Sequence, residues 1–325
     1  MRRLAIAAFA LLSAGSLFAG DIITGTGPGP AAHLKVFDPA GTLKASLLPF
    51  GSGYDGGITV AGGDAIFGAS PDVRNIIVGA TTSAGGHVKV LDATTFAELK
   101  SFLAFPGFNG SVSVAAGPLV ASPFNADIIV GAGPGGVGGH VKVFKGDTGA
   151  EIRSFQAFPG FNGGVSVGCG LFHLPADHAD IIVGAGPGGP GGHVKCFDGV
   201  TLAELRSFQA FPGFNGGVSV AGGRVTGTDF TEIVVGAGPG GQDGHVKVFD
   251  GMTSAEIRSF KAFPGYNGGV RVATAFVDGD SKSDIIVSTI VGGHVKVFSG
   301  ATGAEIRSFL PYPGFTGEVT VGGRL

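Results

Sequence analysis

Short runs in which apolar and polar residues alternate fill this chain, and glycine, proline and aspartate separate them. Over residues 126–170 the runs read DIIVG (127–131), HVKVF (140–144), EIRSFQAF (151–158) and GVSV (164–167). A period of two with β-branched and aromatic residues is strand chemistry, because alternate side chains then share one face of a sheet. The stretch from Ala150 to Arg153 is too short to hold a helix, and Phe158-Pro159-Gly160 ends it. Four strands per unit are therefore expected.

The unit repeats. Its Gly-Gly-His-Val-Lys-Val core recurs, with small variations, around His33, His87, His140, His193, His245 and His294, at spacings of 54, 53, 53, 52 and 49 residues. A period of this size signals an array, a solenoid or a propeller. The segments 145–149 (KGDTG) and 198–201 (DGVT) suit hairpin turns. The segment 159–164 (PGFNGG) suits a longer step: about five extended residues span the ~14 Å width of a four-stranded sheet. It can carry the chain from the outer edge of one blade to the inner edge of the next.

The two ends of the repeat region sharpen this reading. It starts on a DIIT strand at 21–24 and finishes on an EVTV strand at 318–321, the type that opens the other units. With strands ordered GVSV, DIIV, HVKV and EIRSF from the axis outward, the first blade lacks an inner strand and the last segment supplies it. The expectation is an all-β, six-bladed β-propeller with four-stranded antiparallel blades, its ring closed by the C-terminal strand pairing into the N-terminal blade. An open β-solenoid would need capping units, and the sequence shows none.

Composition adds little to the fold but narrows the function. The 325 residues include 63 glycines and 27 phenylalanines, no tryptophan, and only 14% charged side chains. Residues 20–325 read as one domain. Residues 1–19 open with two arginines and continue with an uncharged stretch from 4 to 19. That is shorter than the ~20 residues of a membrane-spanning helix, so a signal peptide cleaved near Ala19 is expected, with an uncleaved anchor as the alternative. Export to the periplasm, the cell surface or the medium follows, with no membrane span after cleavage. Without Arg2 and Arg3, 19 of the 21 basic residues remain against 24 acidic ones, a balance that disfavours nucleic acid as a partner. Cys169 and Cys196 replace small or apolar residues of other copies. Export would permit a disulfide, but two apolar thiols are the simpler account.

The run Asp-Ile-Ile-Val-Gly-Ala-Gly-Pro at 127–134 and again at 180–187 resembles the bacterial FG-GAP or VCBS-type repeats, related to the integrin α-subunit propeller. The resemblance covers residues 20–325 and implies the propeller fold. It also implies Ca²⁺ in the turn before the DIIV strand, where that family carries Asp-x-Asp/Asn-x-Asp-Gly-x-x-Asp. Most copies here depart from the pattern: residues 121–126 (ASPFNA) hold no acid, and 224–231 hold only Asp229. One copy keeps three carboxylates, so Asp278, Asp280 and Asp284 with the Lys282 carbonyl are the candidate Ca²⁺ ligands. Phe276 and Ser281 replace two residues of the family pattern, and waters would have to complete the shell.

Other chemistry is weighed by whether it repeats. Gly131, Gly133 and Gly136 match the dinucleotide fingerprint G-x-G-x-x-G, but a strand rather than a helix is expected next, so no nucleotide is expected. The six repeated histidines would sit too far apart to share an ion and are read as structural. The repeated lysines, with Arg153, Arg206, Arg258 and Arg307, are expected to pair with acids such as Glu151 and Glu204. Among residues that break the repeat, His173, His178, Asp177 and Asp180 could ligate a transition metal, although a solvated loop is the plainer reading.

The aromatic series Tyr54, Phe108, Phe161, Phe214, Tyr266 and Phe315 lies in the linkers, on the end that also carries the Gly-rich loops. These rings could receive a sugar or a partner's side chains, or could plug the gaps between blades. The expected function is a non-enzymatic, exported propeller that binds a protein or glycan through that end, with Ca²⁺ as a possible stiffener. The alternative is a propeller-type polysaccharide lyase or glycoside hydrolase, whose acids and bases would come from Asp55, Asp177, His173 and His178 gathered in one pocket.

Overall fold

The computed structural model describes residues 20–29, 31–63, 75–83, 85–119, 126–173, 178–227 and 230–323. The expected signal peptide and Asp177 lie outside them. The described strands form six four-stranded antiparallel sheets arranged as the blades of a β-propeller. Blade 4 shows the pattern: Val165–Gly170 faces the axis, followed outward by Asp180–Ala185, His193–Phe197 and Glu204–Gln209. The other five blades repeat this order.

The expected closure is observed. Val319–Gly323 forms the inner strand of blade 1 and pairs antiparallel with Ile22–Thr26, in the register Ile22 with Gly323 through Thr26 with Val319. Tyr312 reinforces this seam, standing where the other units have Phe50, Phe105, Phe158, Phe211 and Phe263 just past the outer strand. Its buried hydroxyl lies 2.9 Å from the Thr24 carbonyl oxygen and 2.8 Å from that of His33, so it donates to strands at the opposite end of the chain. Burial pushes its pKa up.

The alternation of the sequence maps onto depth in the blade. Asp180–Ala185 is buried at every position, because it lies between two strands and two neighbouring blades. Outer strands such as Glu204–Gln209 alternate between half-buried and exposed positions. The apolar core is divided into layers between adjacent blades, and one such layer joins Ile129, Val141 and Val143 of blade 3 to Val167, Ile181 and Val183 of blade 4. Close approach explains the glycine of the DIIVG strand. A Cβ on Gly131 would stand 2.8 Å from both Ser113 Oγ and Val167 Cγ1, inside van der Waals contact.

Candidate binding site

Antiparallel alternation sorts the connections onto two ends. The Gly-rich loops between second and third strands, and the linkers between blades, lie on one end (the loop end). The connections between inner and second strands, and between third and outer strands, lie on the other (the turn end).

Backbone hydrogen bonds knit the loop end together. The Gly-rich loop of each blade donates to carbonyls of the linker that leaves it: Gly135 N to Asn162 O at 2.9 Å, Gly188 N to Asn215 O at 2.8 Å, and Gly240 N to Asn267 O at 3.0 Å. Satisfying these groups within the protein fixes the loops without bulky side chains. At the axis they surround a cavity of about 310 Å³, lined by inner-strand residues and by Gly133, Pro134, Gly186, Pro187, Gly238 and Pro239.

Hydroxyls join the inner strands around this cavity. Thr59 donates to Val112 O at 2.8 Å, Ser113 to Val165 O at 3.0 Å, Ser166 to Val218 O at 2.8 Å, and Thr320 to Ile58 O at 2.8 Å. Blade 6 breaks the ring. Arg271 takes the hydroxyl position and points its guanidinium to Glu318, with Nε 2.6 Å from Oε1. Glu318 itself stands where four of the other units have glycine and one has Ser111. The missing hydroxyl is supplied from the next strand. Ser288, opposite Arg271 in the ladder, replaces the usual glycine and donates to Val319 O at 2.6 Å. Three departures from the repeat thus act together, freeing one arginine for the cavity wall while keeping the link between blades. The sequence reading missed them, although alignment of the six units on their histidines displays all three.

The aromatic series occupies this end, but none of its rings lines the central cavity. Each ring is half-buried and packs on a core layer. Phe108, Phe161 and Phe214 meet Phe105, Phe158 and Phe211 edge-on, with centroids 6.0, 6.1 and 6.0 Å apart. The phenol oxygens are also engaged: Tyr54 donates to Gly57 O, and Tyr266 accepts from Val291 N. Phe315, like the others, is partly buried, packed on the layer formed by blades 6 and 1.

The repeated charges serve the scaffold. His140 Nε2 lies 2.8 Å from Ser154 Oγ on the outer strand, while its ring meets Phe105 of the preceding blade edge-on. Burial, and next the charge of Lys142, lower its pKa. Lys142 and Lys195 bond Glu151 and Glu204 at 2.7 Å, as expected. The four outer-strand arginines reach no acid among the described residues. Arg153, Arg206, Arg258 and Arg307 instead donate to backbone carbonyls of the next blade, at Val200, Met252, Gly300 and Pro39. A forked guanidinium can cross that gap, whereas the lysine is held at a carboxylate within its own hairpin.

At the turn end the candidate Ca²⁺ ligands are engaged with backbone. Asp284 is fully buried; its Oδ2 accepts from Val277 N and Asp278 N, and its Oδ1 from Gly300 N. Asp278 Oδ1 accepts from Asp280 N, and Asp280 Oδ1 from Lys282 N. Among the described residues the ligating atoms that converge belong to another group, His173, His178, Asp180 and Asp198 of blade 4. Asp55, by contrast, is exposed on a loop-end linker, so it shares no pocket with His173 and His178. Cys169 and Cys196 are free thiols on the inner and third strands of blade 4, and burial pushes Cys169 up to about 12. No helix among the described residues is long and apolar enough to cross a membrane.

Comparison with known proteins assigns no family. No protein-family model matches the chain, and no curated protein matches it. Among solved structures, the computationally designed Ika8 protein is similar at 21% identity and a TM-score of 0.45, over 94% of this chain and 91% of that one.

Proposed function

We propose that this protein is a non-enzymatic, exported binding propeller that receives a protein or glycan partner on its loop end, at the central cavity. The observation that carries the reading is the coordinated change at Arg271, Ser288 and Glu318. A structural propeller has no need to exchange one wall hydroxyl for a charged pair and then restore the hydroxyl from a neighbouring strand. The cavity offers hydroxyls, glycine backbone and one guanidinium, a set suited to hydrogen-bonding a polar ligand. The separation of Asp55 from His173 and His178 weighs against the lyase or hydrolase alternative.

The test is a glycan array probed with the wild type and with Arg271→Ser, each with and without chelator. Binding by the wild type that the variant loses supports the reading. Silence of the wild type under both conditions removes the glycan form of it. Cross-linking from a residue introduced at Val137, on a loop-end tip, then tests a protein partner. Ca²⁺ at Asp278, Asp280, Asp284 and the Lys282 carbonyl enters this proposal only as a stiffener of the turn end. A thermal midpoint unmoved by Ca²⁺ removes it.

A further inference from the structure

One group of side chains on the turn end is explained neither by the repeat nor by binding at the loop end. His173 and His178 lie in the connection between the inner and second strands of blade 4. Asp180 begins the second strand, and Asp198 begins the turn after the third. One ligating atom from each of the four lies within 4.8 Å of every other. The sequence places Asp198 twenty residues beyond His178; the hairpin of the second and third strands brings them together.

Two carboxylates of this group face its two imidazoles. Asp180 is fully buried. Its Oδ2 accepts from Phe172 N at 2.7 Å and lies 2.8 Å from His173 Nδ1, while its Oδ1 has no hydrogen-bond partner among the described residues. At the equivalent position in blade 6, Asp284 Oδ1 accepts from Gly300 N. Asp198 commits its Oδ1 to Val200 N, Thr201 N and the Thr201 hydroxyl, which leaves Oδ2 facing His178 Nε2 at 3.3 Å. The buried Asp180 and the largely buried Asp198 thus bring two carboxyl groups into one shielded space. The two imidazole rings stand only 4.3 Å apart, centre to centre, and each faces one of these carboxyl groups. One divalent cation placed among them would meet a ligand atom from all four side chains.

We infer that His173, His178, Asp180 and Asp198 form a binding site for one divalent transition-metal ion of the Zn²⁺ class. Two imidazole nitrogens and two carboxylate oxygens are a donor set that Zn²⁺ takes in tetrahedral geometry. Bonds of about 2.0–2.2 Å put neighbouring ligands about 3.3 Å apart, so closing from the observed spread moves each side chain by about 1 Å or less. Hard cations such as Ca²⁺ prefer six to eight oxygens, which separates this site from the acidic turn in blade 6. The ion would tie the connection of one blade to the third-strand turn of the same blade. The inference is independent of the loop-end proposal.

The test uses the full chain stripped with chelator, dialysed against Zn²⁺ and assayed for bound metal. One Zn²⁺ per chain is expected, with Co²⁺ at the same stoichiometry giving the visible absorption of a four-coordinate ion. His178→Gln should weaken binding tenfold or more, and His173→Gln with His178→Gln should abolish it. His245→Gln, in a repeat histidine, should leave it unchanged. A wild type that retains no stoichiometric metal overturns the site, as does a folded double variant that binds like the wild type. Should the double variant fail to fold, proton resonances of the wild-type histidines decide. Zn²⁺ shifts confined to two rings support the site; shifts among the repeat histidines overturn it.

Discussion

The loop end and the turn end grow from the same six repeats, yet they are stabilised differently. On the loop end each Gly-rich loop is held by the linker that follows its own blade, through backbone groups that hardly depend on side-chain identity. On the turn end several of the described connections are held by a carboxylate of their own: Asp284 for its turn in blade 6, and Asp92, Asp198 and Asp250 for three turns after the third strand. Knitting across blades keeps the loop end nearly uniform, so its departures must be compensated, as at Arg271 and Ser288. Turns that close on themselves can vary one at a time. That freedom is why the unequal chemistry of His173, His178 and Asp198 gathers there.

The largest expected effect comes from removing what both ends share. Deleting 318–325 leaves Ile22–Thr26 as an unpaired edge and opens the ring. The truncated chain should show no cooperative thermal transition at the wild-type midpoint by circular dichroism. Next, Gly164→Val tests the knitted end, because Gly164 has φ +78° and its side-chain position faces the backbone at Gly133 and Pro134. A cost of about 2–4 kcal/mol by urea unfolding is expected from positive φ combined with overpacking. On the turn end, Asp280→Asn should stay within about 0.5 kcal/mol. Equal losses at the two positions would remove the contrast.

Tyr312→Phe deletes a buried hydroxyl at the seam and leaves carbonyl acceptors of the first blade short of a donor. The expected cost is about 1–2 kcal/mol, read as a lower urea midpoint. The combined variant Arg271→Ser, Ser288→Gly and Glu318→Gly restores the repeat and should change stability by no more than about 1 kcal/mol, since the charged pair is partly exposed. Loss of loop-end binding in that stable variant would separate ligand recognition from scaffold.

The smallest effect is the pH profile, and it too divides by end. The six repeat histidines sit where third strands leave the loop end. Their folded pKa values are lowered, first by burial and then by neighbouring lysines. The unfolded chain therefore binds more protons, so their contribution is complete above about pH 6.5 and is lost as pH falls below it. The turn-end Asp92 and Asp250 also have lowered pKa values; hydrogen bonds from Thr95 N and from the Thr253 hydroxyl, respectively, are the largest causes. Their contribution is complete above about pH 4 and is lost only in stronger acid. Urea midpoints from pH 8 to pH 2 should fall in two stages, and His140→Gln should reduce the first alone.

Much of the scaffold was legible because it is periodic. Strand order, blade number and the closing strand followed from six copies of one pattern and from which strand type is missing at the start. The arginine contacts were misread because a sequence shows which charges exist but not which backbone carbonyl lies opposite. The aromatic series was located on the correct end, but its half-buried packing could not be seen from spacing. Arg271 and Glu318 are 47 positions apart and meet only because blade 6 stands beside blade 1. Asp198 looked like one of several repeated turn aspartates until the hairpin set it against His178.

By itself the sequence determined the architecture, because alternation, glycine placement and period all act locally, and each copy repeats the same instruction. Only the tertiary structure decided which unlike residues face one another. Those meetings, in the cavity wall and in the cluster of blade 4, depend on the angle and separation of neighbouring strands and blades. No single repeat encodes those distances.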